Sequence, residues 1–136
     1  MMFRPFVLAA VTVATVLTSA AASADDSLFK FIESRRAADR AAALDLWNWA
    51  EVGYQEEQSS ARLQKELREA GFRITAGVAD MPTAFVAEYG SGQPVIAILA
   101  EMDALPGVSQ AAVPDRSPLK GRISGHACGH HLFGAG

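Results

Sequence analysis

Val95-Ile96-Ala97-Ile98-Leu99-Ala100 is a run of six residues without one polar side chain. A half-exposed strand alternates apolar and polar residues, whereas an unbroken apolar run suits a strand covered on both faces. The run, following helices, therefore predicts a layered α/β or α+β domain with 95–100 as a central strand. Thr83 to Tyr89 reads as its neighbour. Gly90-Ser91-Gly92-Gln93-Pro94 between them is turn chemistry, so the two predict a hairpin.

Helices precede this sheet. From Ser27 to Ala50, Leu28, Phe31, Ile32, Ala38, Ala42, Leu46 and Trp49 recur at helical spacing, with Arg35, Arg36, Asp39 and Arg40 between them. Gly53 is the expected stop, because glycine readily takes the left-handed geometry beyond a helix end. A second helix is expected from about Glu56 to Ala70. Its first turn carries Glu56 and Glu57, its apolar stripe is Leu63, Leu67 and Ala70, and Gly71 closes it. Phe72 to Thr75 alternates like a short strand. The stretch from Ala111 to Ser124, with Pro114, Pro118 and Gly121, reads as loop. Leu132 to Gly136 looks like the first turn of another helix. The chain ends inside that turn, which predicts a piece of a longer polypeptide.

The first residues have a different character. Arg4 is followed by a nearly wholly apolar stretch, Phe6 to Leu17, then by Ala22-Ser23-Ala24 and the pair Asp25-Asp26. This order matches a secretory signal peptide over residues 1–24, cleaved after Ala24. A membrane anchor is the plainer alternative, but the apolar stretch is shorter than the roughly 20 residues a span needs. The expectation is an exported protein, periplasmic or secreted, without a stable membrane anchor. The net charge is −3 and no basic patch appears, so a nucleic-acid partner is not expected. One cysteine, Cys128, excludes an intrachain disulfide.

That cysteine and all three histidines fall between His126 and His131, in Gly125-His126-Ala127-Cys128-Gly129-His130-His131. Thiolate and neutral imidazole are preferred ligands of zinc and related ions. Gly129 gives the backbone freedom to bring Cys128 and His130 to one small volume. The residues alone leave other readings open: a chance cluster on a loop, a buried structural cysteine, or Cys128 as a nucleophile activated by His126 or His130. A second group is Glu101 and Asp103, at i and i+2 after the apolar run, so that both point to one side. One of them could orient a metal-bound histidine. Equally, they could belong to a solvated loop, with Asp103 capping a turn.

Ala100-Glu101-Met102-Asp103-Ala104-Leu105-Pro106, followed by the histidine–cysteine motif, resembles the M20 metallopeptidase and amidohydrolase family. Trp47-Asn48-Trp49-Ala50-Glu51-Val52-Gly53-Tyr54-Gln55-Glu56-Glu57 and Pro82-Thr83-Ala84-Phe85-Val86-Ala87 most resemble its p-aminobenzoyl-glutamate hydrolase subgroup. The resemblance covers nearly all of residues 25–136. It implies the N-terminal portion of a mixed-sheet α/β catalytic domain, incomplete, with two helices, a hairpin and a central strand.

By the same resemblance, Cys128 bridges two divalent ions (Mn2+, Zn2+ or Co2+), His130 binds one of them, and Asp103 supports the site. Glu51 matches a recurrent glutamate taken as structural. The implied reaction is hydrolysis of a small-molecule amide, of the N-acyl amino acid or aminobenzoyl-glutamate kind, by a metal-activated water. Two positions depart from the branch: Glu101 stands where aspartate is frequent, and His131 where aspartate or asparagine is frequent. The family's general base, its remaining ligands and the inserted domain through which it forms homo-oligomers lie further along than these residues reach. The alternative is a non-catalytic polypeptide that binds metal weakly or requires a partner chain.

Overall fold

The computed structural model describes residues 24–136. The expected signal peptide lies, all but its last residue, outside them. Helix α1 runs over Ala24–Trp49 and α2 over Glu57–Glu69. Strands β1 (Arg73–Ala76) and β2 (Phe85–Glu88) pair antiparallel, with Ile74 opposite Ala87 and Thr75 opposite Val86. Strands β3 (Leu105–Pro106) and β4 (Ser124–Gly125) form a second short antiparallel pair, and α3 covers His130–Ala135. The architecture is mixed α/β, as expected of part of such a domain. No helix among the described residues is long and apolar enough to cross a membrane.

The core is small and sits where the second half of α1 meets α2 and α3. Ala42, Ala43, Leu46, Ala50, Leu63 and Ala104 are buried. Small residues at 42, 43 and 50 let neighbouring backbones come close. Arg35 and Arg62 tie the two long helices at the rim, reaching Glu66 and Asp45. These pairs are partly exposed, so each contributes only about 0–1 kcal/mol. The first half of α1 does not share in the core: Leu28, Phe31 and Ile32, expected on its apolar face, are all exposed. No described element lies against them.

The α1–α2 junction departs from the glycine stop expected at Gly53. The residue just beyond α1 with positive φ is Ala50, at 46°, and Tyr54 further along the turn has φ 66°. A non-glycine residue pays about 1–2 kcal/mol for that conformation. Two contacts hold Ala50: its amide donates to Leu46 O at 2.9 Å, and its carbonyl accepts from Ser124 Oγ at 2.6 Å. After the turn, the Glu51 carboxylate covers the start of α2. It accepts from the amides of Gln58 and Ser59 at 3.0 and 2.8 Å, and from Ser59 Oγ at 2.7 Å. Glu56, which precedes the helix, makes no capping bond of its own. Instead it accepts from buried Thr83 Oγ1 at 2.6 Å, while Ser60 Oγ donates to Thr83 O, anchoring α2 to the approach of β2.

The expected central strand is the main correction. Residues 95–100 carry no helix or strand, and the partner of β2 is β1. Val95, Ile96, Ile98 and Leu99 are between 74% and 89% exposed. Strand structure needs a neighbour to accept its backbone hydrogen bonds. None of the described residues supplies one, so composition suited to burial meets no surface that buries it.

Candidate functional site

The segment from Arg122 to His126 is bound to the carboxyl end of α1. The last carbonyls of a helix lack partners within it. Here Arg122 donates to the carbonyls of Trp47 and Asn48, Ser124 Oγ to that of Ala50, and His126 Nε2 to that of Leu46 at 3.0 Å. The Arg122 guanidinium also places positive charge at the negative end of the helix dipole. β4 then runs against β3. The amide of Ala104 donates to Glu51 O at 2.7 Å, and Gly107 N to Ile123 O at 2.6 Å. These bonds bring the 101–104 segment beside the loop that carries Cys128 and His130.

Two glycines make the approach possible. A Cβ on Gly125 would stand 2.6 Å from Val108 O, and one on Gly134 would stand 2.7 Å from Glu101 O. Both obstacles are backbone and could not swing aside. Helix α3 therefore rests its Gly134 directly on the Glu101 carbonyl. Gly129, with φ 88°, turns the chain so that α3 begins at His130.

His130 sits between the two carboxylates. Its Nδ1 lies 2.8 Å from Asp103 Oδ1 and 3.2 Å from Asp103 O. Its Nε2 lies 2.6 Å from Glu101 Oε2. Asp103 and Glu101 thus do lie on one side of the chain, as their i, i+2 spacing predicts, and grip opposite edges of one ring. Cys128 is exposed and free. Among the described residues no imidazole is hydrogen-bonded to its thiol.

His126 and His131 play a different part. His126 is buried, and its ring lies 6.5 Å from Trp47 and 4.9 Å from His131, centre to centre; Trp47 and His131 are 5.0 Å apart. Burial pushes both imidazoles below their ordinary pKa; at His126 the hydrogen bond to Leu46 O partly opposes this, and at His131 the neighbouring His126 adds to it. Both shifts favour the neutral ring. Because a carbonyl only accepts, His126 must carry its proton on Nε2, which leaves Nδ1 as an acceptor. The Nδ1 atoms of His126 and His131 are buried without a partner. Sequence reasoning placed these histidines in the cluster without separating their roles. The caps made by Arg122, Ser124 and His126 were not foreseen, because a contact across more than 70 residues leaves no local pattern.

Whether these residues suit a divalent ion can be judged from His130. Protein imidazoles that hold zinc and similar ions commonly give their other nitrogen to a carboxylate, which fixes the tautomer and the ring. Asp103 does this at Nδ1. Cys128, in the turn just before, adds a thiol. Among the described residues, no three histidine, cysteine, aspartate or glutamate side chains converge on one point. The donors present fit part of a metal centre and do not close one.

No family model matches the chain. It is 40% identical over 112 residues to one of the subunits of the p-aminobenzoyl-glutamate hydrolase of Escherichia coli, covering 79% of this chain and 23% of that protein. It is 37% identical over 82 residues to thermostable carboxypeptidase 2 of Saccharolobus solfataricus, covering 59% and 20%. To N-acetylcysteine deacetylase of Bacillus subtilis it is 35% identical over 93 residues, covering 67% and 24%. The chain spans about a quarter or less of the length of these relatives.

Proposed function

Because the chain belongs to the M20-type peptidase and amidohydrolase family, we propose that it forms part of the catalytic domain of a metal-dependent hydrolase of amide bonds. The substrates we propose are N-acyl amino acids or aminobenzoyl-glutamate-like amides, which the names of the relatives suggest. The observation that carries the reading is the clamp on His130, with Asp103 Oδ1 2.8 Å from Nδ1.

In this reading His130 and Cys128 are the ligands of two divalent ions (Mn2+, Zn2+ or Co2+). Bound metal would lower the pKa of a coordinated water and polarise the scissile carbonyl. Asp103 would accept a hydrogen bond from Nδ1 and hold the ring, so that Nε2, which faces Glu101 at 2.6 Å, would be the atom to meet an ion. Gly134 lets α3 seat His130 against the 101–103 segment, and neutral His126 ties the loop to the end of α1. The base that would take the water's proton, and the further ligands, are proposed to come from polypeptide beyond these residues. Export by the signal sequence at residues 1–24 and homo-oligomer formation through further polypeptide belong to the same proposal.

The test is metal binding followed by hydrolysis. The chain as part of its longer protein should bind a divalent ion and release amino acid from N-acyl amino acids or aminobenzoyl-glutamate. His130→Ala and Cys128→Ser should each reduce both. Undiminished metal content and turnover in these variants would refute the reading.

A second reading is favoured by one observation, the exposure of Val95 to Leu99. By itself the chain is then not a catalyst, but a polypeptide that binds metal weakly and needs more chain to cover that surface. Hydrolysis by the isolated chain would contradict it.

A further inference from the structure

We propose that Glu51 is a positioning residue for His130, acting through a single peptide unit; this rests on the proposed metal-dependent function and adds a residue to it. The peptide between Asp103 and Ala104 is held on both sides. Its N–H donates to Glu51 O at 2.7 Å. Its C=O lies 3.2 Å from His130 Nδ1, and the side chain of the same Asp103 lies 2.8 Å from that atom. A peptide unit is planar and stiff. Whatever orients the N–H therefore orients the carbonyl that faces the ring. Ala104 is buried and also bridges Val52, so the contact lies out of solvent.

The Glu51 carbonyl is aimed by the Glu51 side chain. The turn around it does not hold its own shape, since Ala50 and Tyr54 both have positive φ, which residues with a Cβ avoid. The carboxylate meets α2 at both oxygens. Oε1 accepts from the Gln58 amide at 3.0 Å and from Gln58 Nε2 at 3.3 Å. Oε2 accepts from the Ser59 amide at 2.8 Å and from Ser59 Oγ at 2.7 Å. Ser59 is fully buried, and α2 is itself anchored where Ser60 Oγ donates to Thr83 O at 2.6 Å.

Helix capping alone does not call for this arrangement. A capping side chain ordinarily belongs to the residue next to the first turn. Glu56 holds that place and makes no capping bond. The cap comes instead from the far side of the turn, from the residue whose carbonyl holds the 103–104 peptide. One residue thus joins the start of α2 to the peptide beside His130.

The test uses the chain as part of its longer protein. Calorimetric titration gives the Zn2+ affinity, and the visible absorption of bound Co2+ reports the geometry around the ion. Glu51→Ala, Glu51→Gln and His130→Ala are compared with wild type. Arg62→Ala, which breaks ion pairs at the helix rim, serves as a variant destabilised elsewhere. Glu51→Ala is expected to weaken Zn2+ binding by about tenfold, as when groups that orient a metal's ligands are removed, and to shift the Co2+ bands. Glu51→Gln keeps one acceptor oxygen and should recover part of both. Arg62→Ala should lower Tm and leave both unchanged. If Glu51→Ala does not fold, the comparison of Glu51→Gln with wild type decides. Wild-type affinity and bands in the deciding Glu51 variant, beside a clear loss in His130→Ala, overturn the positioning role and leave the metal reading intact. An equal loss in Arg62→Ala also overturns it, because general loosening then accounts for the effect. No Zn2+ binding by wild type, or no loss in His130→Ala, overturns both.

Discussion

Replacing Glu51 by alanine would remove every hydrogen bond its carboxylate makes to the first turn of α2. A lost helix cap typically costs about 1 kcal/mol, within a range of about 0.5–2. The expected outcome is a destabilisation of that size, measured by urea denaturation. The carboxylate also gives a pH dependence. Partial burial pushes its pKa up, but the bonds from Gln58 and Ser59 outweigh this and leave it below the ordinary 4.5. A group with a lowered folded-state pKa adds stability above its unfolded value and loses it as pH falls through the folded value. The advantage of wild type over Glu51→Gln should therefore be full at pH 7 and shrink below about pH 4.5. At this scale the sequence was partly legible. The i, i+2 spacing of Glu101 and Asp103 implied a shared side, and both do reach His130. That they take opposite nitrogens depends on how α3 is seated, which no spacing records.

Among the elements, α3 depends on one missing side chain. Gly134→Ala would drive a Cβ against the Glu101 carbonyl, 2.7 Å away, and the helix must shift. Overpacking of this kind typically costs about 1–3 kcal/mol. Because His130 is the first residue of α3, the same change should loosen its contacts with Asp103 and Glu101. A lower Tm together with weaker Zn2+ binding is expected; a lower Tm with unchanged binding would separate the seating of α3 from the site. Arg122→Ala should uncap the end of α1 and lower stability by about 1 kcal/mol, because two carbonyls lose a charged donor. The helices and the β1 and β2 segments were readable because their periodicity, and at the end of α2 the glycine stop, are local. The pairing was not. Thr83 to Tyr89 was matched with the apolar run by proximity, yet β2 takes β1, whose four residues fit its register. Periodicity identifies a strand without identifying its neighbour.

For the whole molecule, the decisive feature is the run from Val95 to Ala100. Its composition asks for burial on both faces, while the described residues leave it open. Relatives of about four times this chain's coverage have the polypeptide to surround such a run. Exposed apolar surface with unpaired backbone invites association. The chain by itself should bind a hydrophobic dye and self-associate, and Ile96→Lys with Ile98→Lys should reduce both without lowering stability, as read by light scattering and thermal melting. A monomeric, dye-silent wild type would mean that the run is covered in solution. The layered α/β class was legible because it follows from the order of helices and apolar runs. How the 95–100 run is covered was not, since that depends on a surface these residues do not form.

The central claim is that the loop before α3, with His130 held by Asp103, takes up a divalent ion. Equilibrium dialysis of the chain as part of its longer protein against Zn2+, with the metal counted by elemental analysis, tests it most directly. Wild type should retain the ion, and Cys128→Ser combined with His130→Ala should lose it while keeping its circular dichroism spectrum. Equal retention by the two proteins, or none by wild type, would contradict the account.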